Sequence, residues 1–265
     1  MNNNYTYEQL FDRNNGVFNE EEINKIKSLK VGIVGAGGLG GPVAYTLARL
    51  GVGEIRIIDP EKFEASNINR QYGAYIDTIG QFKAKVIEKE LLRINPYLVV
   101  KAWGEALTPQ NLNEFIEGVN VIVDAIDFFA IEIERLLYKE AVKRNLWCHT
   151  SQAAGNICTF TSFNPQGMTF DEMFIEDGNV KLEKIIEALF PILPDQATPQ
   201  LLQEIINGKQ LHISSHATPP PIGGSLVVED IIRVNIKNQK PIAEAPNLYI
   251  FDLNKMAITH YKVNK

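Results

Sequence analysis

The chain has little of what would equip it for an oxidising compartment or a membrane. Its 265 residues include two cysteines, Cys148 and Cys158, so neither a disulfide framework nor a four-thiolate zinc site can be built. No apolar run reaches the roughly 20 residues of a membrane span. The segment Met1–Gln9 is polar and rich in asparagine, without the apolar core of a signal peptide. Histidine is scarce, four residues in all, which leaves few choices for a general base. Acidic residues outnumber basic ones, 32 to 26, for a formal net charge of −6, and lysine and arginine form no cluster. That balance argues against general nucleic-acid binding. These absences describe a cytoplasmic protein.

What is present is a core-forming sequence, 45% hydrophobic, long enough for one large α/β domain. Apolar runs at Lys30–Val34, Glu54–Ile58, Leu98–Trp103, Val119–Val123 and Leu146–Thr150 predict strands. Amphipathic stretches at Gly40–Leu50, Gln81–Ile94, Asn111–Glu117 and Ile131–Lys143 predict the helices between them. The alternation implies parallel βαβ units in a Rossmann-like, mostly parallel sheet with helices on both faces. Glu20–Leu29 precedes it as an amphipathic helix, with Ile23, Ile26 and Leu29 on one side. The rhythm changes after Thr150. Asn156–Phe163 alternates like an antiparallel strand, and helices are expected at Leu182–Leu189 and Pro199–Ile206. Pro219–Pro221 is expected to halt the chain before a helix around Gly224–Ile236, and Leu248–Leu253 and Ala257–Val263 should close as a hairpin. The chain divides into an N-terminal helical arm (1–30), a nucleotide-binding core (31–165), a crossover insertion (166–218), and a C-terminal helix and antiparallel hairpin (219–265), all one domain.

Val31–Gly41 is a buried strand running into a glycine-packed turn and a helix. Gly35, Gly37 and Gly40 have GxGxxG spacing, which with Gly38 lets backbone N–H groups and the helix dipole approach a phosphate. Asp59, at the end of the next strand, is placed for a ribose hydroxyl. The loop alone serves NAD, FAD and ATP equally. Three features favour ATP: Arg70 among the amides of Asn67, Asn69 and Gln71, Lys83 at the start of the following helix, and Asp127 at the end of strand four. A triphosphate needs cations beyond backbone amides and a carboxylate for Mg²⁺. A dehydrogenase would need an acid/base at the sheet edge, and His149 alone is near it.

These residues resemble the ubiquitin-activating-enzyme-like adenylyltransferases of the ThiF/MoeB type. The resemblance covers nearly the whole chain and rests on GAGGLGG at Gly35–Gly41, IIDPEKFEASNINRQ at Ile57–Gln71, GQFKAK at Gly80–Lys85, INP at Ile94–Pro96 and DAID at Asp124–Asp127. It implies attack of a carboxylate on the α-phosphate of ATP, with pyrophosphate released and an acyl-adenylate formed. Asp59 would bind ribose, Asn67, Arg70 and Lys83 the phosphates, with Gln71 beside them, and Asp127 the Mg²⁺. Phe11–Asn14 resembles the family's short arginine motif, making Arg13 a finger for the site of a second subunit and the active unit a homodimer.

The chain also departs from that pattern. It has no Cys-x-x-Cys pairs and no cysteine between Asn164 and Pro219 to take a thioester. Phe128 replaces a common asparagine and Glu61 a frequent aspartate. The expectation is an enzyme that stops at the adenylate or transfers it directly, acting on a peptide, small carrier protein or other carboxylate. Three alternatives remain: a tRNA-modifying dehydratase of the same family, a silent binding module, and an NAD-dependent oxidoreductase. Cys148 and Cys158 fit apolar packing, the Phe170/Phe174/Phe190 group core or dimer packing, and His212 with His216 lacks a third metal ligand.

Overall fold

The computed structural model describes residues 4–127, 130–176, 179–180, 185–186, 188, 190, 197–207, 209 and 214–263. In chain order, helices α1 (Tyr7–Leu10) and α2 (Glu20–Ser28) lead into β1 (Lys30–Val34), α3 (Gly40–Leu50), β2 (Glu54–Ile58), α4 (Lys83–Ile94) and β3 (Val99–Trp103). Then come α5 (Leu112–Ile116), β4 (Val121–Asp124), α6 (Ile131–Lys143), β5 (Trp147–Ala154) and β6 (Ile157–Phe163). The remainder is α7 (Phe170–Phe174), the small ladder β7 (Ile175–Glu176) and β8 (Asn179–Val180), α8 (Pro199–Ile206), α9 (Pro219–Ile231), and the hairpin β9 (Asn247–Asp252) and β10 (Ala257–Lys262).

Eight strands form one sheet in the order β10-β9-β6-β5-β4-β1-β2-β3. The half from β5 to β3 is parallel and the half from β5 to β10 antiparallel. Side chains alternate across the strands, and this sorts the core in two. Val31, Ile33, Val121 and Val123 face a cluster with Leu47, Ile87, Val227 and Ile231. Val34 and Ile122 face another with Phe115, Leu137, Phe163 and Phe170. Because both faces are covered, the central strands read as unbroken apolar runs. Among the described residues no helix is long and apolar enough to cross a membrane.

Three expectations need correction. Strand β4 begins two residues later than expected and takes in Asp124, whose Oδ1 accepts the N–H of Ile126 and closes the strand. Strand β5 runs four residues past Thr150, because β6 folds back and pairs with the overhang from Ser151↔Phe160 to Ala154↔Ile157. Pro219–Pro221 do not stop the chain: they form the first turn of α9, where a fixed φ suits a helix start. Most of the expected helix Leu182–Leu189 lies outside the described residues. Phe170 and Phe174 stack around Tyr138 and Phe163, and Phe190 is buried in the same cluster, so the group packs the core.

Candidate active site

The turn after β1 is shaped by two glycines that admit no side chain. Gly35 has φ +100°, and a methyl there would overlap the carbonyl of Ala125; one on Gly40 would overlap the carbonyl of Gly35. The Gly35 N–H is bound to the Ile58 carbonyl at 2.9 Å, joining the turn to β2. Gly37 is different. A methyl there would lie 3.6 Å from the Gln71 side chain, an ordinary contact, so the space beside it is open.

That space belongs to a cleft of about 370 Å³ along the C-terminal edge of the parallel strands, within the range of small-molecule sites. Gly35, Gly37, Gly38, Asp59, Arg70, Gln71, Lys83 and Asp127 line it together. Asp59 is buried, and its carboxylate first holds the turn: Oδ2 accepts the N–H of Ala36 and Oδ1 that of Glu61, each at 2.7 Å. Burial pushes its pKa up, opposed by those two N–H groups and by the charge of Lys83. Lys83 is nearly fully buried and its Nζ sits 2.5 Å from the exposed Glu61 carboxylate. The pair is thus lopsided, a buried ammonium held by a carboxylate that is largely in solvent. Arg70 is half-buried and held by neutral acceptors, the Ser66 carbonyl at 3.1 Å and Asn69 Oδ1 at 2.9 Å. The Oε1 of Gln71 is buried and has no hydrogen-bond partner among the described residues.

Behind Asp127 lies a buried acidic pair. Asp124 Oδ2 accepts the Tyr138 hydroxyl at 3.0 Å, and burial pushes Asp124 up to about 6. Burial, then the charges of Asp124 and Asp127, push Glu134 well above the carboxylate range. Each carboxyl of the pair thus resists ionisation beside the other.

Other expected residues lie elsewhere. Gly40 supports the turn without lining the cleft. Asn67 Oδ1 accepts the Glu64 N–H at 3.0 Å and shapes its own loop. Arg13 sits beside Asn14, whose Nδ2 is bound to the Leu50 carbonyl at the C-terminal end of α3. The 11 residues of α3 set it roughly 16 Å of helix from the glycine turn. His149 is fully buried, with Nδ1 against Ser162 Oγ at 2.8 Å and Asp230 Oδ2 at 2.9 Å, so it offers no base to the cleft. Both cysteines are buried, and burial pushes Cys158 up to about 12 and Cys148 well above the usual thiol value. Phe128 and His212 lie outside the described residues.

The structure also adds residues that the pattern did not single out. Ser151, Gln152 and Ala153, on the β5 overhang, line the cleft with Ser215 and Pro220. Ser215 is drawn in because Gly155 N–H binds the Ser214 carbonyl at 2.7 Å and Asn69 Nδ2 the Ser215 carbonyl at 3.1 Å. The C-terminal end of the crossover insertion thus meets the strand edge. Nothing in the sequence forewarns of this, since its apolar run reads as ending at Thr150.

The set suits a nucleoside triphosphate: an open glycine cradle, a buried unbonded amide oxygen, and two cations whose present partners are exchangeable. For Mg²⁺ the fit is partial by design. No group of three His, Cys, Asp or Glu side chains that could hold a metal ion occurs among the described residues. Mg²⁺ normally takes one or two carboxylates and completes its shell with phosphates and water, which Asp127 at the cleft wall satisfies.

A model of the ThiF family matches residues 11–265. The chain belongs to the ThiF family. The tRNA threonylcarbamoyladenosine dehydratase of Bacillus subtilis is 32% identical over 250 residues, which are 87% of this chain and 98% of that relative. The sulfur carrier protein adenylyltransferase of Thermus thermophilus is 37% identical over 105 residues, 40% of this chain and 39% of that one. E. coli MccB, solved with ATP, superposes with a TM-score of 0.70 at 20% identity, over 92% of this chain and 66% of its own. The shared ThiF-family fold places the mostly parallel sheet, the glycine turn and the cleft in one scaffold.

Proposed function

We propose that this chain, as a single adenylation domain, is an ATP- and Mg²⁺-dependent adenylyltransferase that activates a carboxylate. The convergence of Arg70, Lys83 and Asp127 on a cleft floored by an open glycine turn carries the reading. A carboxylate oxygen attacks the α-phosphorus, the bond to the bridging oxygen of the β-phosphate breaks, and pyrophosphate leaves with the electron pair. Asp59 holds the ribose, and the Gly37–Gly38 backbone cradles the phosphates with Gln71 alongside. Asn67 keeps the Arg70 loop in shape. Arg70 and Lys83 neutralise charge as it moves onto pyrophosphate. Mg²⁺, held by Asp127, would spread that charge further. No side-chain nucleophile is required, in keeping with two inert, buried cysteines.

Arg13 cannot serve its own cleft from the far end of α3, so we assign it to the cleft of a second copy in a homodimer. The test of the core reading is carboxylate-dependent exchange of pyrophosphate into ATP. Arg70→Ala and Asp127→Ala should each lower it by on the order of 100-fold. Exchange at wild-type rates in both variants refutes the assignment.

For the substrate, one observation favours a nucleic-acid carboxylate over a peptide: similarity to the dehydratase spans almost that relative's full length. Activation of the threonylcarbamoyl carboxylate on tRNA would use the same steps, with the carbonyl then closed upon intramolecularly and water lost overall. Exchange stimulated by tRNA bearing threonylcarbamoyladenosine, and weakened by added salt, supports this branch. Stimulation by a peptide or carrier-protein C-terminus instead selects the other.

A further inference from the structure

The cleft has a neutral end that the nucleotide does not account for. The strand order β3-β2-β1-β4-β5 puts Asp59, at the end of β2, on one side of the glycine turn and the β5 overhang on the other. With ribose on Asp59 and the α-phosphate at the turn, the β4–β5 side is left for the group that attacks. Ser151 is the first residue of that overhang, one past the Asp124↔Thr150 rung. It lines the cleft, is 5% exposed, and its Oγ has no hydrogen-bond partner among the described residues. A buried hydroxyl left unpaired is costly, and such groups in native proteins are normally satisfied. Its Oγ is packed against Gly223 in α9, where a methyl would collide with it, so it reaches a cleft ligand by rotating about χ1. On the same wall Ala125, Ile126, Gln152, Ala153 and Pro220 bring no charge, and Asp127 is taken up by the Mg²⁺ assignment above.

We propose that Ser151 binds the acyl group: its hydroxyl donates a hydrogen bond to the carboxyl oxygen that does not attack. The assignment rests on the adenylylation reading above. A neutral donor suits this position because the substrate carboxylate loses its charge as the mixed anhydride forms. A lysine or arginine there would favour the charged ground state over the transition state. Ser151 itself forms no covalent bond, and its proton stays on Oγ throughout.

Two non-reacting monoanionic probes separate acyl from nucleotide contacts: the methyl ester of AMP as the parent, and 5′-O-(N-acetylsulfamoyl)adenosine as the acetylated probe, titrated calorimetrically into the full chain. Wild type should bind the acetylated probe about tenfold more tightly than the parent. In Ser151→Ala that gap should close, with affinity for the parent probe unchanged and the melting temperature equal to or above wild type. Unaltered parent binding also shows that the variant is folded. A gap that survives the substitution overturns the assignment. So does equal weakening of both probes, which would put Ser151 on the nucleotide. Failure of wild type to bind either probe overturns the adenylylation reading and removes the basis of this one.

Discussion

Gly35 and Gly37 are two residues apart, yet substitution should affect them oppositely. Gly35→Ala forces a side chain into a left-handed backbone and against the Ala125 carbonyl, and should cost more than about 2 kcal/mol in thermal unfolding. Gly37→Ala meets only ordinary contacts, so it should melt like wild type and lose affinity for ATP. The motif spacing marks both positions alike, and only the packing around each separates the crowded glycine from the open one. Asp59 was legible in the same incomplete way, since its position at the strand end is plain in the sequence but its grip on Ala36 and Glu61 is not. At this scale the acidic pair also sets a pH dependence. Burial raises Asp124 to about 6 and lifts Glu134 above its ordinary value, so the folded state binds protons more tightly than the unfolded chain. Stability from this pair is full at low pH and falls as pH rises past the ordinary carboxylate range and through about 6. Glu134→Gln keeps a donor for Asp124 and removes one titration. It should flatten that decline and gain on the order of 1 kcal/mol at pH 8 relative to wild type, measured by chemical denaturation across pH 5 to 8. Glu134 reads in the sequence as one more acid on a helix, because the partner that buries it comes from a different strand.

Elements were read most securely where periodicity is local. Strands β1 and β2 and helices α3, α6 and α8 fall at their expected limits, because each carries its own apolar pattern and its own stop. Limits set by a partner were misjudged. Thr150 looks like the end of β5 only if β6 is not seen returning beside it. Helix α9 was expected to start after its prolines, because their use in a first turn depends on what the helix covers. How α9 is fastened was likewise hidden. Asp230 accepts from Ser162 Oγ at 2.6 Å and from the N–H of Ile242, and it meets His149 Nδ1. Burial raises its pKa, but His149, Ser162 and the Ile242 amide outweigh that and hold it below the carboxylate range. This network ties α9 to β5 and β6. Asp230→Ala leaves several buried polar groups unpaired and should destabilise the fold by about 3 kcal/mol, seen as a lower denaturation midpoint with an unchanged slope.

For the whole molecule, the proposal that Arg13 acts across a dimer makes a quantitative demand. Arg13→Ala and Arg70→Ala should each be nearly inactive in pyrophosphate exchange. When the two are mixed and allowed to exchange subunits, half the dimers become mixed, and each mixed dimer holds one complete cleft of two. Activity should then return to about a quarter of wild type. No recovery despite demonstrated subunit exchange would place Arg13 outside the reaction. The first turn of α9 has a bearing on how this molecule directs an anion. A helix start normally leaves four N–H groups seeking acceptors. In α9 three are absent, because Pro219–Pro221 have none, and regular helical bonding begins with the Ile222 N–H to the Thr218 carbonyl at 3.5 Å. Helices α3, α4, α6 and α9 all begin beside the cleft, and of these the start of α9 is stripped of donors by its prolines. An anion against Pro220 would therefore meet no donor from that turn, which makes this wall the less attractive to a phosphate.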